Sequence, residues 1–135
     1  MKDGTIDIGE SFRIDNKFDL ADLKVVSNSF NITPVVSNGE YNSFKTDAIR
    51  FFNKDVIFTL YFEYGKIKRV SLNFVSGGAG WSENVQAEEM KKKHDQDSWL
   101  KNILKEMPPY DFKWGKVESV FDPRATISSV VISFY

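Results

Sequence analysis

Cysteine is absent from the 135-residue chain and histidine occurs once, at position 94. Without cysteine there is no disulfide, no thiolate zinc site and no thiol nucleophile, so the redox environment of the protein is not readable from its sequence. A charge excess of either sign is also missing: 18 Lys and Arg stand against 19 Asp and Glu, a formal net charge of -1. A dedicated nucleic-acid binder needs a basic footprint to neutralise phosphates, and none is present. The one basic run, Lys91-Lys92-Lys93, is flanked by Glu88, Glu89, Asp95 and Asp97, which makes the neighbourhood acidic overall and reads as a solvated helix face. Long apolar runs are lacking as well. The polar start, Met1 to Asp7, has no apolar core of a signal peptide, and no segment approaches 18 consecutive apolar residues. The expectation is a cytoplasmic protein with no membrane or nucleic-acid partner.

What the chain does have is aromatic residues, 12 Phe, 5 Tyr and 3 Trp, within a composition 41% hydrophobic and 27% charged. That balance belongs to a folded globular protein rather than a disordered one. A chain of this length buries roughly two-thirds of its unfolded surface in one core. With no internal repeat and no linker, residues 1–135 are predicted to form a single α+β domain, residues 1–10 being mobile. The architecture expected is an antiparallel sheet of about five or six strands, packed with one long and one short helix.

Local patterns place the elements. Phe12 and Ile14 alternate with Arg13 and suggest an edge strand. Asp19 precedes Leu20, Leu23 and Val26 at helical spacing with Asp22 near the N-terminus, predicting a short helix over 19–28. Asn31, Pro34, Ser37, Asn38 and Gly39 make 29–40 a predicted loop, followed by a short strand at Tyr41–Thr46. Val56 to Phe62 and Lys66 to Phe74 alternate with period two. If Glu63-Tyr64-Gly65 is a three-residue loop, Phe58 pairs with Val70 and Val56 with Leu72, while Tyr61, Thr59, Arg69, Ser71 and Asn73 go to the opposite, wetter face. Gly77 to Gly80 reads as a connector. Trp81-Ser82 then caps a long helix to about Glu106, ended by Pro108-Pro109. Its second half carries the apolar stripe Trp99, Leu100, Ile103, Leu104 and Met107, and its charged first half is expected to project into solvent. A closing hairpin, Trp114–Phe121 with Thr126–Tyr135, pairs Val117 with Val130 and Ser119 with Ser128. Its last strand, apolar on both sides near its middle, belongs in the centre of the sheet.

Catalytic chemistry finds no foothold. His94 and Asp97 share a helical face, but no third ligand at metal-binding spacing accompanies them. The Gly77-Gly78-Ala79-Gly80 segment lacks the companions of a phosphate-binding loop. Ser119, Ser128 and Ser129 have no nucleophile elbow or nearby His, and Glu88 and Glu89 diverge around a helix. No enzyme activity, cofactor or metal is expected. The aromatics Phe51, Phe52, Tyr61, Tyr64, Trp81, Tyr110 and Trp114 exceed what one sheet face obviously buries. Tyr61 and Tyr64 are the preferred exposed candidates, provided no helix covers Tyr61.

Three blocks carry a resemblance: Phe58-Thr59-Leu60-Tyr61-Phe62-Glu63-Tyr64-Gly65-Lys66-Ile67; Trp81-Ser82-Glu83 leading to His94-Asp95 and Trp99-Leu100; and Trp114-Gly115-Lys116-Val117-Glu118-Ser119-Val120-Phe121-Asp122-Pro123-Arg124. Over residues 41–135, this order of two strands, a charged helix and a WG-x-[IV]-x-SV-x-DP hairpin resembles a family of small, mostly uncharacterised bacterial proteins associated with immunity in polymorphic toxin systems. The resemblance transfers no catalytic motif. It implies a protein that occludes a partner toxin by shape and charge complementarity. Under that implication the contact surfaces are a helix face with Glu88, Glu89, Lys92 and Asp95 and a strand face with Tyr61 and Arg69, beside Tyr64 at the hairpin tip. An edge strand adding to a partner's sheet is a further route. The competing expectations are a small-molecule domain with a pocket lined by Trp99, Trp114 and Phe residues, and a self-associating structural protein.

Overall fold

The alternation along Val56–Phe62 and Val70–Phe74 becomes the centre of a large antiparallel sheet. The computed structural model describes residues 3–9, 12–75, 85–122 and 127–135, the side chains of 85–90, 122 and 127 excepted. In chain order the elements are β1 (Ile6–Gly9), β2 (Phe12–Ile14), α1 (Leu20–Val26), β3 (Ile32–Asn38), β4 (Tyr41–Thr46), β5 (Ile49–Phe51), β6 (Lys54–Glu63), β7 (Lys66–Phe74), α2 (Val85–Leu104), β8 (Tyr110–Asp111), β9 (Gly115–Asp122) and β10 (Ile127–Phe134). Strands β1 and β2 form a separate hairpin. The others build one eight-stranded sheet in the order β3-β4-β6-β7-β10-β9-β8, with β5 continuing the β4 side of β6. The fold is α+β as expected, but the sheet is larger than the five or six strands the sequence suggested.

The extra strands are those with weak or no alternation. β3 lies in the segment read as a loop, because six of its seven residues are exposed at the edge of the sheet. Its turn formers serve the β3–β4 turn instead, with Gly39 at φ 65°. Pro34 is tolerated because an edge strand leaves some N–H groups unpaired. Within the segment expected to be mobile, β1 places Ile6 and Ile8 against the core, where both are buried. α1 forms where its cap predicts, the Asp19 carboxylate accepting from Asp22 N while Asp22 accepts from Asp19 N.

The β6–β7 register differs from the expected one by two residues. Phe58 pairs with Leu72, Leu60 with Val70 and Val56 with Phe74. Tyr64 and Gly65 make the turn alone, both left-handed at φ 52° and 80°. The odd residue that parity demands is Lys68, bulging between Ile67 and Arg69. β9–β10 shows a similar offset, Val117 opposing Ile132 and Ser119 opposing Val130. As the apolar pattern requires, β10 sits inside the sheet between β7 and β9. The connector 77–80, the cap Trp81-Ser82 and residues 123–125 of the closing loop lie outside the described residues.

One face of the sheet carries the core. Val56, Phe58, Leu60, Phe62, Val70, Leu72, Val130 and Ile132 meet α1 through Leu23 and Val26, the β1–β2 hairpin through Ile6, Phe12 and Ile14, and α2 through Trp99, Leu100 and Leu104. Each fully buried side chain of this size stabilises the fold by about 1.5–3 kcal/mol. Met107, expected in the apolar stripe, is instead 70% exposed, because α2 ends at Leu104 and Lys105 turns left-handed at φ 54°. Where the β4 edge breaks between Thr46 and Ile49, the Thr46 hydroxyl accepts the Phe58 N–H at 3.1 Å, so that backbone donor stays paired.

Candidate functional site

Alternation sends the other half of each strand to the opposite face, where, among the described residues, neither helix nor the small hairpin packs. Pairings trace one continuous row across it: Val36–Ser43–Tyr61–Arg69–Ser133–Lys116–Asp111, from β3 through to β8. A second row runs Thr33–Lys45–Thr59–Ser71–Val131–Glu118. At about 4.8 Å between strands the seven-strand row is about 29 Å wide. This is the wetter face foreseen for Tyr61, Thr59, Arg69, Ser71 and Asn73.

The Tyr61 end of the platform forms a concavity of about 470 Å³ whose lining includes Val36, Tyr41, Tyr61, Glu63, Lys68 and Arg69. Tyr61 and Arg69 are directly paired across strands, and the guanidinium carbon lies 4.3 Å from the centre of the Tyr61 ring. The ring therefore holds the guanidinium by a cation–π contact. Among the described residues Lys45, Lys68 and Arg69 have no ion-pair partner within 4.0 Å, and no side-chain N–H of Arg69 meets an acceptor. With Glu63 the one carboxylate in the lining, this end of the face is positive. Its far end is neutralised internally, Lys116 lying 3.0 Å from Glu118.

Tyr64 stands 67% exposed at the β6–β7 turn, where its hydroxyl donates to Glu40 at 3.2 Å and its N–H to the Glu40 carbonyl at 2.8 Å. It joins the β3–β4 and β6–β7 turns at one end of the sheet. The helix candidates lie elsewhere. α2 packs on the covered face over β9 and β10, so Lys92 and Asp95 are on the other side of the sheet from Tyr61 and Arg69. Asp95 is exposed and Lys92 half-buried, whereas the side chains of Glu88 and Glu89 lie outside the described residues. The two expected contact surfaces are thus separate. Edge addition is poorly served too: β3 has Pro34 and an irregularity between Pro34 and Val36, and β8 is two residues long.

The aromatic pocket expected from Trp99 and Trp114 does not assemble. Trp99 packs on Phe51, Phe52 and Phe74 and donates its indole N–H to the Phe52 carbonyl, while Trp114 stacks on Phe112 and meets Phe134 at a tilt of 45°. Phe51 and Tyr110 are buried as well; among the described members of the aromatic set singled out by sequence, Tyr64 and Phe52 are exposed and Tyr61 and Trp114 half-buried, Tyr61 being the one on the uncovered face beside Arg69. Tyr41, 51% exposed in the concavity, was not among them. Its alternation with Ser43 and Lys45 was the available signal.

A second grouping lies between α2 and β9 and escaped the sequence altogether. Gln96 is fully buried and its amide donates to Ser119 Oγ at 3.2 Å, leaving its Oε1 unpartnered. Burial pushes the Asp97 carboxyl upward, but the Ser119 hydroxyl and the Lys93 ammonium, 3.1 Å away, outweigh it and hold the pKa below the ordinary value. In the groove here, about 450 Å³, Lys93 pairs with Asp97 and Lys116 with Glu118, and Lys101 and Asp111 are the further charged residues of its lining. Its His neighbour, His94, is exposed, and no cluster of three metal-ligating side chains exists among the described residues. No described helix is long and apolar enough to cross a membrane. No protein-family model, no curated protein and no solved structure matches the chain.

Proposed function

We propose that the protein is a non-catalytic binding module of the immunity kind, which occludes a partner toxin with the uncovered face of its sheet. The observation that carries this reading is the Tyr61–Arg69 pair: an aromatic ring and a guanidinium whose donors are unspent, held in a concavity on a face that its own helices leave bare. Tyr and Arg are the residue types that most often dominate binding energy at protein interfaces. The dimensions also fit. With β6, β7, β9 and β10 eight to ten residues long and β3, β4 and β8 shorter, the seven strands span about 790 Å² at about 3.3 Å per residue and about 4.8 Å per strand, close to the about 800 Å² that each partner contributes to a stable complex.

The helix face with Lys92 and Asp95 is the subordinate surface in this reading, since occlusion from both sides of a sheet would require two partners. Affinity capture of the tagged protein from its native cells tests the proposal. The expected result is a single stoichiometric protein, toxic when expressed alone and silenced by co-expression. Recovery of the protein by itself, at wild-type expression, contradicts it.

A further inference from the structure

Resting on that reading, we infer that Arg69 is a carboxylate reader and that the partner presents an acidic side chain of its own surface to the concavity. A guanidinium offers five N–H donors in a fixed fork that matches a carboxylate in two parallel hydrogen bonds. In a surface arginine those donors point into water and the side chain samples many rotamers. Here the Tyr61 ring fixes one plane of the group at 4.3 Å, so the fork is oriented before a partner arrives. The residue opposite Arg69 on its other flank is Ser133, a small side chain that leaves the fork accessible.

The surrounding charge selects the same chemistry. Lys68 bulges out of β7 beside Arg69, and Lys45 shares the face one row away; with Glu63 as the lining carboxylate, the sum is two positive charges. None of these three cations is neutralised among the described residues. This patch is the unusual feature of a chain whose formal net charge is -1. The apolar wall, Val36 at 47% and Tyr41 at 51% exposure, favours a carboxylate carried on a protein surface with apolar neighbours over a strand of phosphates, which would ask for cations along the whole row. Lys116, the other cation of that row, is paired with Glu118.

The test follows the arginine side-chain N–H signals of the ¹⁵N-labelled full chain at low salt during titration with an acetylated hexaglutamate peptide. Parallel titrations use hexalysine, inorganic phosphate and an oligothymidylate. Shifts at Arg69 with the acidic peptide, and an affinity at least roughly tenfold weaker in Arg69→Gln but unchanged in Arg13→Gln, are expected; that loss is the size of one charge-assisted hydrogen-bonded pair. Thermal melting confirms that both variants fold. An Arg69 signal that ignores the peptide, or responds equally to phosphate or the oligonucleotide, overturns the inference. The occlusion reading fails separately: a protein recovered alone from its cells while the peptide still engages Arg69 would remove the toxin and keep the carboxylate site. A captured partner bound equally well by Arg69→Gln would do the reverse.

Discussion

The two faces of the sheet are written by alternate residues of the same strands, yet they differ in almost everything. Along β6 and β7 the covered face reads Val56, Phe58, Leu60, Phe62 and Val70, Leu72, Phe74, all buried; the open face reads Ile57, Thr59, Tyr61 and Arg69, Ser71, Asn73. Thr59 and Ser71 are small enough to be shielded by their neighbours, at 9% exposure each, while Tyr61 and Arg69 rise above them. The covered face explains why the chain folds. The open one buries the small Ser43, Thr59 and Ser71 in place of large apolar side chains and so contributes less to stability, and the proposed binding role accounts for the ring and the guanidinium that stand on it.

That contrast yields predictions of decreasing size. Phe58→Ala, a deletion from the fully buried face, is expected to cost about 3–5 kcal/mol in urea unfolding. A loss below about 1 kcal/mol would mean that this face is not the core. Gly115→Ala tests the backbone ladder beneath both faces: a Cβ there would overlap the Ser133 carbonyl, and a cost of about 1–3 kcal/mol is expected from the forced separation of β9 and β10.

Asp97 adds a pH dependence at the margin of the covered face. Because its folded pKa is depressed, its contribution is present above the ordinary carboxyl pKa of about 4 and is lost as pH falls through the folded value. Urea midpoints measured from pH 6 downward should therefore fall less steeply in Asp97→Asn than in the wild type; equal slopes would show that the Ser119 and Lys93 contacts are not made. The smallest change is expected on the open face. Arg69→Ala should leave stability within about 0.5 kcal/mol while altering partner affinity, and a larger loss in a melting experiment would assign Arg69 to the fold.

Sequence made the covered face legible and much of the open one. Period two assigned Tyr61 and Arg69 to one side before their distance was known, and the Asp19–Asp22 box located α1. Registers were less accessible, since apolar alternation repeats every two residues and tolerates a shift of two; the difference lay in Lys68, whose bulge has no compositional mark. β3 was hidden because an exposed edge strand has no buried half to alternate with, and β8 because it is two residues long. Period two groups Tyr41 with Ser43 and Lys45, but that Tyr41 and Val36 lie beside Tyr61 and Arg69 depends on strand order, which local pattern does not encode. The Gln96–Ser119–Asp97 contacts join α2 to β9 across 23 residues, beyond the reach of periodicity.

The most direct measurement compares the two sides of the molecule in one capture experiment. Tagged wild type, Tyr61→Ala with Arg69→Glu on the open face, and Lys92→Glu with Asp95→Lys on α2 are expressed in the native cells, each confirmed folded by melting, and the stoichiometric partner is quantified. The account predicts that the open-face variant loses the partner while the helix variant retains it at the wild-type level. Loss in the helix variant with retention in the open-face variant would contradict it and move the contact surface to the other side of the sheet.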